Sequence, residues 1–181
     1  MSPRKSRAAT VACVVALLLA GCVEEAGSAK PLLFETSAEA DCLDIIDAVD
    51  ALPEAYRPVL GVVALPGSDS RHERGRTDPD TDLRFAKMGL LVKAESEATI
   101  TVDPGQAAEI LVGWDPHEPP AQHFVVPPCP GEARWVADSG DSEWVVYSGG
   151  VWVSEPACVA LTIESDGRRQ GIVLPIDTDC A

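Results

Sequence analysis

The sequence predicts a mainly β protein: an immunoglobulin-like or related antiparallel β-sandwich of roughly seven to nine strands, with a short N-terminal helix. Three observations carry this. Short apolar segments follow one another from residue 59 to residue 176, most of them closed by Pro, Gly or a charged turn. The last of them form a hairpin, in which Val159, Leu161 and Ile163 alternate with Ala160, Thr162 and Glu164, Asp166-Gly167 supplies the turn, and Ile172, Leu174 and Ile176 return with matching parity. Beyond the N-terminal segment the cysteines are Cys42, Cys129, Cys158 and Cys180, an even set that suits a cross-linked sandwich. The Cys…Trp…Cys spacing of immunoglobulin domains is not cleanly present, so the strand order stays open.

Taken in order, the chain begins with Arg4, Lys5 and Arg7, an apolar run over 8–20 broken only by Thr10, and then Leu19-Ala20-Gly21-Cys22. An apolar run of about 12 residues is too short for a bilayer core, which needs roughly 20 in a helix, so it is expected to be the apolar part of a signal peptide. A branched residue, two small residues and a cysteine resemble a lipobox. That resemblance implies a diacylglyceryl thioether on the Cys22 sulfur and cleavage between Gly21 and Cys22. The competing reading is a plain signal peptide that contains a cysteine. Two or three acyl chains anchor stably, each buried CH₂ contributing about 0.8 kcal/mol. The expected organisation is therefore a signal peptide over 1–21, a lipidated cysteine and small, polar tether over 22–40, and a single disulfide-stabilised domain over 41–181.

Residues 1–21 carry three basic side chains and no acidic one, so their loss takes the formal charge from −15 to −18. A surface this acidic repels nucleic acid, which is excluded as a partner. The chain has no Asn, and Arg outnumbers Lys. Such a bias is typical of a GC-rich genome and points to an actinobacterium-like host, with the lipid in the outer leaflet of the cytoplasmic membrane.

Cys13 leaves with the signal and Cys22 takes the lipid, so the remaining four cysteines are expected to form two disulfides. Their separations of 87, 29 and 22 residues are too wide for a compact zinc ribbon, and no C-x-x-C pair occurs. Four cysteines allow three connectivities. Cys158 falls on the Ala160/Thr162 side of its strand, opposite the apolar side, so its bridge is expected to tie an edge or loop. The pairing expected is Cys129–Cys158, clasping the aromatic segment between them, with Cys42–Cys180 joining the two ends of the domain.

Over 41–52, Ile45, Ile46, Val49 and Leu52 fall at helical spacing, Asp41 is placed to cap and Pro53 to stop the run. The β-branched run 59–65 ends at Pro66-Gly67, and the charged stretch 68–82 reads as a mobile loop. Strand segments follow around Met88–Leu90–Val92, Ile100–Val102, Ile110–Val112–Trp114, Phe124–Val126, Trp135, 143–147 and 151–153, with a Pro-rich loop over 115–122.

Catalysis needs a nucleophile with a base, a metal cluster, or paired carboxylates in a pocket. His72 sits in the charged loop. His117 and His123 bracket the Pro-rich loop with Asp115 and Glu118, at a spacing that matches no two-histidine metal motif. Asp177 and Asp179, or Asp138, Asp141 and Glu143, are carboxylates of the kind that bind Ca²⁺, but solvated charge is the expected reading in so acidic a chain. Beyond the N-terminal segment 1–21 no G-x-S-x-G, S-x-x-K or phosphate loop occurs. An enzyme is not expected, and no catalytic residue, metal or cofactor is assigned.

Aromatics are the remaining lead. Trp135, Trp144, Tyr147 and Trp152 lie within 18 residues, close to Gly149-Gly150 and Glu155. Exposed Trp and Tyr make flat platforms for sugars or protein partners, whereas in sandwich strands they usually fill the core. Trp144 and Val146 share one strand face and Val145 and Tyr147 the other, so at least one aromatic is expected to point away from the core.

Two runs, Arg84-Phe85-Ala86-Lys87-Met88-Gly89-Leu90-Leu91-Val92 and Ser148-Gly149-Gly150-Val151-Trp152-Val153-Ser154-Glu155-Pro156-Ala157-Cys158, with the cysteine near the C-terminus, resemble a group of small secreted or lipid-anchored proteins of streptomycetes and their relatives. The likeness covers roughly 52–180. It implies host and location and carries no activity. The expectation is a lipid-anchored cell-surface protein with a non-catalytic binding or structural module. The alternative is an extracytoplasmic glycan- or ligand-binding accessory protein that uses the aromatic segment 135–152. Its partners are then the membrane, through the anchor, and a cell-wall glycan or surface protein.

Overall fold

The computed structural model describes residues 37–180 except 69, 135 and 137–140. These all fall in one compact unit, Pro31–Ala181. The expected signal peptide, Cys22 and most of the expected tether lie outside the described residues.

Among the described residues eleven strands form two sheets: β1 (Ser37–Glu39), β2 (Asp47–Val49), β3 (Tyr56–Val59), β4 (Val63–Pro66), β5 (Arg84–Lys93), β6 (Ala98–Val102), β7 (Ile110–Gly113), β8 (His123–Val126), β9 (Trp144–Val153), β10 (Ala157–Ser165) and β11 (Arg168–Ile176). The first sheet runs β1-β8-β6-β10-β11, the second β2-β9-β5-β4-β3. β7 also pairs with β9, so one edge of that long strand is shared by β2 near its start and β7 near its end. All pairs are antiparallel except β1 with β8. The architecture is the predicted mainly β sandwich. The strand number exceeds the expected range because β1, β2 and β3 are too short to show alternation.

The terminal hairpin has the predicted register, with Val159 opposite Leu174 and Leu161 opposite Ile172. Its turn residues Asp166 and Gly167 have φ of 50° and 71°. Two successive positive φ values are what a two-residue turn needs to match the right-handed twist of the strands.

Alternation builds the core between the sheets. Val159, Leu161 and Ile163 of β10, Ile100 of β6 and Phe124 of β8 meet Met88, Leu90, Tyr147 and Val151 of the second sheet, all buried. Trp114 is wholly enclosed, edge-on to Phe124 at 5.5 Å between ring centres, and its Nε1 donates to the Met88 carbonyl at 3.0 Å. On the outer face of the second sheet a smaller cluster forms from Ala64, Leu91 and Trp144, with Val49, Leu52, Tyr56 and Val146 packed against it.

The middle of β9 lies tight between its neighbours. A Cβ on Gly149 would sit 2.1 Å from the Gly113 carbonyl oxygen, and one on Gly150 2.1 Å from that of Ala86. Any side chain there would push strands apart, which gives the Gly149-Gly150 pair a physical reason.

Three expectations are corrected. The helix over 41–52 is instead a single 3₁₀ turn, Cys42–Asp44, capped by the Asp41 carboxylate, after which the chain extends into β2 and pairs with β9. Ile45 enters the core, Ile46 is exposed and Val49 joins the outer cluster, so a strand ladder satisfies a spacing that also fits a helix. The disulfides are Cys42–Cys129 and Cys158–Cys180, with Cα atoms 5.5 and 5.7 Å apart, and not Cys129–Cys158 and Cys42–Cys180. The 3₁₀ turn brings Cys42 to Cys129, which is buried at the margin of the core. Cys158 faces outward as its parity predicts and ties the C-terminal end.

The charged loop 68–82 does not stand free. His72 bridges to Ile176, through its amide to the Pro175 carbonyl (3.1 Å) and from the Asp177 amide to its own carbonyl (2.8 Å). Arg74 Nε donates to Asp177 at 2.7 Å, and the amides of Gly75 and Asp78 bond Phe85 and Leu83. Polar residues that read as solvated loop here supply the bonds that dock it.

Candidate functional site

The aromatic segment does not assemble as one platform. Trp144 is 6% exposed beneath the outer cluster, and Tyr147 is wholly buried. Trp144 does point away from the main core, as strand parity predicts, yet Val49, Leu52 and Tyr56 help cover it. Tyr147 donates its hydroxyl hydrogen to Cys129 Sγ. Burial, with the carboxylates of Asp41, Asp115 and Asp44 adding to it, pushes its phenol well above the usual range. Trp135 lies outside the described residues. Glu155 is exposed at the rim of a small cleft of about 150 Å³ with Gln106 and Glu109.

Among the described aromatic residues of that segment only Trp152 is half-exposed, and strand register gives it different companions. It stands opposite Phe85 on the outer face of the second sheet, ring centres 4.5 Å apart and planes at 41°. Three glycines lie on that face beneath aromatic groups: the Phe85 ring is 2.8 Å from where a Gly150 Cβ would be, Trp152 Cζ3 is 3.5 Å from that of Gly113, and the Tyr56 hydroxyl is 2.9 Å from that of Gly89. Ring atoms of Phe85 and Trp152 and the Tyr56 hydroxyl thus reach into space that a side chain would occupy at these glycines. Trp152 Nε1 donates to Asp78 Oδ2 at 3.0 Å, while Asp78 Oδ1 accepts from the amides of Asp80 and Thr81. Burial alone would raise the Asp78 carboxyl, but these bonds outweigh it and hold the group below the usual carboxylate range. Exposed Lys87 lies on that face between Phe85 and Gly89, and half-exposed Ser148 stands on it opposite Gly89.

A second constellation sits by the Cys42 turn. Asp115 accepts from the amides of Asp41 (3.0 Å), His117 (2.7 Å) and Glu118 (3.2 Å). Asp44 lies beside it and faces His117 Nε2 at 3.5 Å. Burial, then the Asp115 carboxylate, push Asp44 above the usual range, and His117 opposes this. These bonds fasten the turn to the loop after Trp114. His123 is not part of the group, since its Nδ1 meets Thr101 Oγ1 at 3.0 Å. The two histidines that bracket the Pro-rich loop thus face different partners.

The remaining acidic candidates are separated too. Asp177 is bonded by Arg74 and its carbonyl by Arg71, and Glu143 meets Lys93 at 3.4 Å. Asp138 lies outside the described residues. Among the described residues no three His, Cys, Asp or Glu converge as a metal site. His72 is half-buried, and its Nε2 is enclosed without a hydrogen-bond partner among the described residues.

Phe85, Tyr56 and Asp78 were not singled out in the sequence. The signal for Phe85 and Tyr56 was present only as glycines at 89, 113 and 150, whose significance depends on which aromatic the register sets over each. Comparison of the chain with family models, with curated proteins and with solved structures gives no match.

Proposed function

We propose that the chain is a lipid-anchored protein of the extracytoplasmic face of the cell membrane whose β-sandwich is a non-catalytic binding or structural module. Cysteine arithmetic carries the reading. Four of the six cysteines are joined within the domain, in bridges typical of oxidising compartments. Of the other two, Cys22 directly follows Leu19-Ala20-Gly21 at the end of a basic and then apolar segment. The run 148–158, which resembles secreted and lipid-anchored streptomycete proteins, agrees with this placement. The acidic domain repels polyanions, so its role is sought among surface proteins and glycans.

Metabolic labelling with an alkyne fatty acid tests the anchor. The wild-type chain is expected to take the label and partition with membranes, and Cys22→Ser to do neither. Label retained by Cys22→Ser would reject lipidation at that residue.

A further inference from the structure

We propose that the outer face of the second sheet binds a neutral polysaccharide chain along a strip formed by Phe85, Trp152, Lys87, Ser148 and Tyr56. This deepens the proposed cell-surface binding role and rests on it for location only.

Ring presentation is the first argument. Phe85 lies over Gly150, Trp152 against Gly113 and the Tyr56 tip over Gly89, and all three aromatics keep part of their surface in solvent. Pyranose rings bind to such faces through their apolar C–H side, because the aromatic π face is electron-rich and apolar. Rigidity is the second argument. The Trp152 indole is fixed by Asp78 through its N–H and by Phe85 at its side, so little freedom is lost when a ligand docks.

Spacing and polarity agree with an extended ligand. Phe85 and Gly89 are four residues apart on β5, about 13 Å at the usual strand rise, so the aromatic positions are separated by more than one sugar ring. Between them Lys87 offers an ammonium, and Ser148, opposite Gly89, a hydroxyl for the sugar's own hydroxyls. Charge selects the class of polymer. A chain of formal charge −15, with Asp78 bonded to Trp152 and Asp80 bonded to Asp78, disfavours polyphosphates and polyuronates, whereas stacking and hydrogen bonding to neutral sugars need no opposite charge.

The test is titration of the purified full-length chain in detergent with chitohexaose and with cellohexaose, followed by tryptophan emission, with inorganic polyphosphate as the polyanionic probe. Saturable binding of at least one hexasaccharide is expected, with Kd on the order of 10 μM to 1 mM, and no saturable response to polyphosphate. Phe85→Ala is expected to weaken binding about tenfold, the equivalent of one lost aromatic contact. Lys87→Ala, at an exposed position where folding is not at stake, is expected to weaken it by roughly two- to fivefold. No response to either sugar, tighter binding of polyphosphate, or unchanged affinity in Lys87→Ala together with a correctly folded Phe85→Ala would each overturn the proposal. Titration does not depend on whether Cys22 carries lipid, and fatty-acid labelling does not depend on sugar binding, so the two readings fail separately.

Discussion

Tyr147 Oη lies 3.1 Å from Cys129 Sγ, so the phenol of the second sheet is hydrogen-bonded to the bridge that holds the Cys42 turn. This disulfide closes 87 residues and one of its sulfurs belongs to a residue only 2% exposed; the Cys158–Cys180 bridge closes 22 residues among half-exposed groups. In the chain-entropy account the longer loop contributes about 4–5 kcal/mol and the shorter about 3–4. Loss of packing at Cys129 widens the difference. Cys42→Ala with Cys129→Ala is therefore expected to lower the urea midpoint more than Cys158→Ala with Cys180→Ala, and Tyr147→Phe to cost about 0.5–1.5 kcal/mol. Equal or reversed midpoints for the two cysteine pairs would contradict this account.

His72 makes stability depend on pH. Its Nε2 is enclosed without a partner among the described residues, and burial lowers its pKa from the usual 6.5. In the window below 6.5 and above the depressed folded value, the unfolded chain binds the proton and the folded chain does not, so stability rises with pH there. The contribution is fully present above 6.5 and is lost on acidification. Asp44 and Asp78 are shifted about the much lower carboxylate value of 3.8, which leaves the range just below 6.5 to histidine. Urea midpoints measured from pH 7.5 down to 5 should fall in the wild type and fall less in His72→Gln. An equal slope in both proteins would remove His72 from the explanation.

What could be read from the sequence and what could not divides by range. The terminal hairpin was legible because its alternation and its Asp166-Gly167 turn are local, and so was the opposed facing of Trp144 and Tyr147, which strand parity alone dictates. The Cys42 partner was not, because Cys42 is positioned by a turn before β2, and β2 finds its place only by pairing with β9 far along the chain. The helical spacing of Ile45, Ile46, Val49 and Leu52 failed for the same reason: a ladder to β9 and a bond from the Asp41 amide to Asp115 outweigh a weak local preference. The pairing of Phe85 with Trp152, and the glycines beneath them, likewise exist only once β5, β7 and β9 are in register.

Asp78 joins the charged loop to the aromatic pair. Removing its carboxylate takes away the Trp152 Nε1 bond and the two amide bonds that shape the turn, all charge-assisted. Asp78→Ala is expected to cost about 1–3 kcal/mol, discounted for a group partly open to water. Tryptophan emission should shift to the red as the indole gains freedom. The sign with pH follows from its lowered pKa: this stabilisation is present above 3.8 and lost as pH falls through the folded value. Unchanged emission and midpoint in Asp78→Ala would mean that Phe85 alone holds the ring.

Gly150 and Gly171 make a paired test of close strand approach. A Cβ on Gly150 meets the Ala86 carbonyl oxygen at 2.1 Å and the Phe85 ring at 2.8 Å, and the backbone cannot yield without opening the β5–β9 ladder. On Gly171, in the outer face of the first sheet, the nearest atom is the Leu161 carbonyl oxygen at 4.0 Å. Gly150→Ala is expected to destabilise by about 3 kcal/mol or more through overpacking against backbone, while Gly171→Ala is expected to be neutral or to stabilise by up to about 1 kcal/mol through the reduced freedom of its unfolded chain. Both add the same methyl group to a strand, so intrinsic propensity cancels and the difference in urea midpoint reports the strand contact. A Gly150→Ala protein as stable as Gly171→Ala would show that β9 does not lie so close to β5.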